Sequence, residues 1–202
     1  ILALETARPK TIRPAPKDNS NANTFSKALD KYQGMYRELG VVDPRPNKAP
    51  VPDDLALRTK DVKGAAYFLD AAQVGVCEMV ETAWYEGATV LQHDHAIVIM
   101  VRPGRTPEKD NIAHDWIKGH EIAAAELRAF EIAIAVAEHI QWMGYESKAH
   151  DHQTGDVDIN RLSVMAGLTV RDDKKLVNPY LDEEYAIAAV TTDYLINVDE
   201  PL

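Results

Sequence analysis

His93-Asp94-His95 sets two imidazoles around one carboxylate, and it is the densest chemistry-bearing triplet in the chain. Residues two apart on a strand share a face, so both rings could chelate one metal ion, with His114, His120 or His139 completing the site. A polar start to the apolar run that follows accounts for the same residues and is the favoured reading, because short motifs also match by chance. His114 and His120 are six apart and do not share a helix face, so they read as surface histidines. Cys77 sits in an apolar stretch, which suits a buried, inert thiol better than a nucleophile. Adjacent carboxylates such as Asp182-Glu183-Glu184 do not converge on one bond, and a solvated turn explains them. Trp84-Tyr85 would serve a flat ligand, but core or interface packing uses their area more simply. Thr192-Asp193 ends a strand and reads as a cap on the next turn. The residue types therefore nominate no catalytic, cofactor-binding or metal residue. A metal-dependent enzyme through His93 and His95 is the remote alternative.

The elements that must position these groups follow from periodicity. Residues 1–23 carry proline, lysine and asparagine without an apolar period, which predicts an extended arm or one wrapped over a partner. From Thr24 to Leu39, Phe25, Leu29, Tyr32, Met35, Tyr36 and Leu39 recur at helical spacing, with Thr24 as the expected cap and Gly40 as the stop. Pro44, Pro46, Pro50 and Pro52 make Val41–Asp54 a linker. A domain boundary near 57/58 follows, with an arm, one helix and a linker over 1–57 and the compact domain over 58–202.

Within that domain the pattern predicts a helix over Arg58–Ala72, a strand over Val74–Met79 and a buried strand over Ala96–Val101. A long alanine-rich helix over Gly119–Met143 comes next, then a strand over Tyr145–His150, a helix over Ile159–Ala166 and a central strand over Tyr185–Thr192. This order implies an α+β fold, a sheet flanked by helices, with a doubly wound parallel sheet as the alternative.

The formal charge of -10 argues against a nucleic-acid partner. No apolar run approaches the roughly 20 residues of a membrane span. One cysteine excludes an intrachain disulfide, implies a reducing, cytoplasmic setting, and cannot supply the four thiolates of an iron–sulfur cluster. The chain starts at Ile1 without methionine, which suggests processing or a piece of something longer.

Several blocks share one lineage. Asn160-Arg161-Leu162, Ala166-Gly167-Leu168, Asn178-Pro179-Tyr180 and Ala186–Asp193 follow one another as helix, glycine stop, loop and buried strand. Lys63–Glu78, His95–Val101 and Ala135–Tyr145 supply a helix-then-strand, a buried strand and a long helix with a glycine stop. In this order the blocks resemble the corrin domain of cobalamin-dependent reductive dehalogenases and their epoxyqueuosine reductase relatives. The resemblance spans roughly residues 58–195 and implies a nitroreductase-like, corrin-domain-like sandwich. It also implies that the Ala166–Asp193 segment would lie beside the corrin ring.

One departure stands inside that segment. Where the family carries a glycine-rich turn, this chain has Thr169-Val170-Arg171-Asp172-Asp173-Lys174-Lys175. Burying such groups unpaired beside a macrocycle would cost several kcal/mol each, so a solvent-exposed loop is expected, with no cofactor bound by this segment. The resemblance then implies a vestigial N-terminal copy of the corrin domain. Its partners would be the catalytic corrin and ferredoxin-like domains of the same polypeptide, with a homo-oligomer left open. Cobalamin and two 4Fe-4S clusters would lie in the rest of the parent enzyme, which would reductively remove halide from an organohalide. A functional cobalamin-binding domain of the same enzyme is the alternative.

Overall fold

The computed structural model describes residues 1–15, 23–40, 47–172, 175–182 and 184–202. Pro44 and Pro46 of the linker, Asp173 and Lys174 of the charged turn, and Glu183 lie outside the described residues.

β1 (Gln73–Glu78), β2 (His95–Val101), β6 (Ala186–Thr192) and β3 (Ser147–His150) form one sheet in the order β1-β2-β6-β3. Every neighbouring pair is antiparallel, with Ile97 opposite both Val76 and Val190. That rules out the doubly wound parallel alternative and gives the α+β sheet flanked by helices. β-branched and small residues make the strands, and the two inner ones, β2 and β6, are buried on both faces.

Alternation along the strands divides the core in two. Val74, Val76, Ile97, Ile99, Ala188 and Val190 face α3 (Leu55–Phe68) and α5 (Glu121–Trp142). Ala96, Val98, Met100, Ile187 and Ala189 face α6 (Ile159–Met165) and Trp84. On α5, Ala125, Ala129, Ala133 and Ala137 recur every four residues and are all buried. That small ridge lets the helix axis approach the sheet, while Ile132, Val136 and Ile140 fill the space beside it. Full burial of each such aliphatic side chain contributes about 1.5–3 kcal/mol.

The amino-terminal region departs from expectation in two ways. Leu2–Ala7 forms a short helix, α1, where an arm without regular structure was expected. A single turn and a half is too short to show a period. The arm wraps over this domain itself, where Arg161 holds it from beneath: the guanidinium is fully buried and donates to the carbonyls of Pro9 (2.7 Å), Arg8 (3.3 Å) and Thr82. Thr11 Oγ1 donates to Asp158 Oδ2 at 3.0 Å, and Arg13 pairs with Asp156 at 2.6 Å.

α2 (Thr24–Leu39) has the expected span, but its cap is Asn23, whose Oδ1 accepts the amides of Phe25 (3.0 Å) and Ser26 (2.9 Å). α3 begins at Leu55 behind the Asp54 cap, three residues ahead of expectation. A further short helix, α4 (His114–Ile117), precedes α5. Among the described residues no helix is long and apolar enough to cross a membrane.

Candidate functional site

The segment expected beside a corrin ring can be followed atom by atom. α6 ends in a paired-bond glycine stop: Leu168 N–H reaches Ser163 O at 2.9 Å and Gly167 N–H reaches Val164 O at 3.2 Å, with Gly167 at φ +69°. The bare face of Gly167 is occupied by the chain itself, since a Cβ there would lie 2.2 Å from the carbonyl oxygen of Glu200. Gly75, from the matching strand block, is used the same way; its Cβ would lie 2.4 Å from Ala166 O, so the end of α6 rests directly on β1.

The carboxy-terminal segment that covers Gly167 is tied to the outer edge of β1. Asp199 N–H donates to Val76 O at 2.8 Å, and its Oδ2 accepts Val76 N–H at 2.7 Å. Lys63 Nζ holds both carboxylate oxygens at 2.6 Å. One residue thus satisfies both outward backbone groups of Val76 on this edge strand.

Asn178 is fully buried and fully used. Its amide donates to Gln73 Oε1 and Leu168 O, both at 2.6 Å, while Oδ1 accepts the amides of Tyr180 (2.8 Å) and Leu181 (2.9 Å). The Asn-Pro-Tyr block is therefore an internal clamp between the loop and β1.

The charged turn is flanked by a hairpin where a loop was expected, with Asp172 and Lys175 exposed as expected and Arg171 half-buried. Val170–Asp172 (β4) and Lys175–Val177 (β5) pair as an antiparallel hairpin. Arg171 leans on α1, gripping Glu5 with Nε at 2.6 Å and Nη2 at 3.1 Å. Hydrogen bonding to the buried Glu5 raises the Arg171 pKa. The pairing meets the desolvation objection at Arg171, because that half-buried charge has Glu5 as its counter-charge.

Where a flat macrocycle would need open backbone, the surface of Gly167 is already covered by Glu200 and Pro201, and Gly75 by Ala166 and Leu168. Two modest cavities border this same segment. One of about 320 Å³ is bordered by Glu126, His152, Asn160 and Lys175, and one of about 400 Å³ by Leu4, Val164, Val170 and Arg171.

The histidines do not assemble as a metal centre. His93 lies two residues ahead of β2, and its buried ring turns to Thr191, Nδ1 to Oγ1 2.7 Å. His95 is in step with Ile97 and Ile99 on the opposite side of the sheet, so the shared face expected of the pair is not formed. Its Nδ1 is enclosed without a hydrogen-bond partner among the described residues. Burial lowers the pKa of both rings. His114 contacts Pro107 O (2.8 Å), His120 contacts Asn23 Nδ2 (2.9 Å) and His139 contacts Asp61 (3.2 Å), three separate places. Among the described residues no group of three or more His, Cys, Asp or Glu is placed to hold a metal.

What sequence reasoning missed is a relay beside His93. Asp156 N–H donates to His150 Nδ1 at 3.2 Å, which leaves the proton on Nε2; that nitrogen lies 2.9 Å from Thr191 Oγ1. The threonine hydroxyl then donates to His93 Nδ1, a tautomer assignment fixed by the network. His150 is fully buried with Trp84 edge-on at 6.0 Å, and burial pushes its pKa down to about 3. Three segments far apart in sequence make this relay, so no local spacing signals it.

Cys77, Trp84, Tyr85, Thr192 and Asp193 serve the core or a turn. Cys77 is buried, its thiol 3.7 Å from Leu162 O, and burial pushes its pKa up. Trp84 and Tyr85 are core residues, and burial pushes the Tyr85 phenol up to about 12. Thr192 and Asp193 cap the turn: Thr192 Oγ1 accepts Tyr194 N–H at 2.9 Å and Asp193 Oδ1 accepts Glu146 N–H at 2.8 Å.

No protein-family model matches the chain. No curated protein sequence matches it either. Solved structures do. The catabolic reductive dehalogenase NpRdhA is 31% identical with a TM-score of 0.82, over 97% of this chain and 28% of that one. A reductive dehalogenase described for its B12-dependent dehalogenation mechanism matches with the same identity and coverage at 0.83. Epoxyqueuosine reductase from Bacillus subtilis shares the fold alone, at 9% identity and a TM-score of 0.51 over 72% of this chain and 48% of that one. Identity of 31% across an alignment covering 97% of its residues, and a common fold, make this chain a relative of the reductive dehalogenases, matching 28% of their length.

Proposed function

We propose that this chain is a vestigial, non-catalytic copy of the corrin domain, N-terminal to the working copy in a cobalamin- and iron–sulfur-dependent reductive dehalogenase. It packs on the catalytic domain or at a subunit interface and supports an enzyme that reductively removes halide from an organohalide, in a reducing, cytoplasmic setting. The observation that carries this reading is the occupation of Gly167 by the backbone of Glu200. The approach surface a cofactor would use serves chain-on-chain packing instead. Consistent with it, Cys77 is the sole thiol of the chain and is buried. A similar reductive dehalogenase structure, 31% identical, is a complex with 3-bromo-4-hydroxybenzoic acid, which supports a halogenated aromatic as the substrate class of the parent.

Titration of the 202-residue chain with hydroxocobalamin, followed by its absorbance and by equilibrium dialysis, tests the reading. No shift of the corrin bands and no retained corrin are expected. Stoichiometric uptake would instead mean that the tail withdraws from Gly167, and the alternative of a functional cobalamin-binding domain would replace this one.

A further inference from the structure

The outward face of α2 carries a second pattern beside the one that docks it. Ser26 and Gln33 are buried against the body, and Arg37 reaches Asp151 with Nη2 at 2.6 Å. Phe25, Ala28, Tyr32, Met35 and Leu39 recur at alternating intervals of three and four along a different side. Tyr32, Met35 and Leu39 are 51%, 45% and 55% exposed, although each carries a large apolar side chain. Phe25 alone leans on its own chain, edge-on to His120 at 6.0 Å. A 3-4 apolar spacing on a 16-residue helix is the seam of a two-helix coiled coil.

The flanking charges select the partner. Lys31 and Glu38 border the stripe on its solvent side, each one residue ahead of a seam residue. If two α2 helices run antiparallel, Tyr32 of one meets Met35 of the other and Ala28 meets Leu39. The same register sets Lys31 opposite Glu38. Two-fold symmetry makes each contact twice, as a closed, self-complementary interface requires. A parallel register would instead set Lys31 opposite Tyr36 and leave it without a counter-charge across the seam.

We propose that the chain self-associates through an antiparallel α2–α2 pair, with a second copy of itself as the occupant of this stripe. The helix is about 24 Å long. Two stripes of that length bury on the order of several hundred Å², below the roughly 1,000 Å² of a stable interface, so the dimer is reversible. This pairing stands apart from the reading of the Gly167 region: a cobalamin-binding chain would dimerise in the same way.

Sedimentation of the chain over about 10–500 µM tests it, across the range where weak interfaces titrate. A weight-average mass rising from monomer toward dimer is expected. Met35→Glu with Leu39→Glu, both at exposed positions, is expected to hold the chain monomeric with an unchanged circular dichroism spectrum. Lys31→Glu alone, or Glu38→Lys alone, opposes like charges and weakens association roughly three- to tenfold, while the two together restore it. A chain that stays monomeric at the highest concentration overturns the proposal. So does association that survives the double seam variant, or a charge exchange that fails to restore pairing.

Discussion

His150 and His93 hold the neutral form of imidazole in a place where charge is costly. Their pKa values are lowered by burial, that of His150 to about 3. The unfolded chain takes up protons below its ordinary histidine value, while the folded chain refuses them, so stability falls as pH drops. The loss begins near pH 6.5 and continues down toward pH 3 for His150, at up to roughly 1.4 kcal/mol per pH unit for each ring. Urea titrations from pH 7.5 to 4 check this, and His150→Gln is expected to be weaker at pH 7.5 but to lose less per unit on acidification. Gly167 is the other residue whose chemistry is set by its surroundings. Gly167→Ala meets both a left-handed backbone and the Glu200 carbonyl, and a loss of about 1–3 kcal/mol is expected in chemical denaturation.

At the scale of elements, one carboxylate ties α2 to the end of β3. Asp151 is buried, which by itself would raise its pKa, yet hydrogen bonds from Thr154, Gln33 and Arg37 outweigh burial and leave it below the usual carboxylate value. Asp151→Ala is expected to cost about 2–4 kcal/mol and to release α2 to limited proteolysis before the sheet unfolds. Such contacts also explain what the sequence could and could not disclose. β2, β6 and α5 were legible because β-branched runs and an alanine-rich period are local signals. α1 has too few residues for a period. The hairpin of β4 and β5 was hidden because charge at Arg171 argued for solvent, and only Glu5, 166 residues away, answers that charge. The His93–Thr191–His150 relay was invisible for the same reason of distance. The Asn160–Asp193 blocks were read correctly as lineage, but whether Gly167 faced a ligand or the chain depended on where residues 200–201 run.

For the whole molecule, the carboxy-terminal segment serves as a substitute edge strand. Removing residues 197–202 is expected to uncover Val76 N–H and C=O together with the bare face of Gly167. Light scattering and thermal melting of the shortened chain are expected to show aggregation and a lower Tm, because an unpaired edge invites strand addition. Asp199→Asn keeps the shape but weakens the tie to Lys63, and a smaller Tm loss is expected.

The sheet order has a consequence in time. β6, the last of the sheet's four strands in sequence, lies between β2 and β3, so neither can complete its pairing until residue 192 has emerged. β1 can pair with β2 early as a hairpin, yet the far side of His95–Val101 must wait through the whole of α5 and α6. For that interval the ribosome presents an apolar, β-branched strand with an open edge, the kind of surface that aggregates or recruits chaperones. The chain's hazard during synthesis is thus the delay before its central strand arrives.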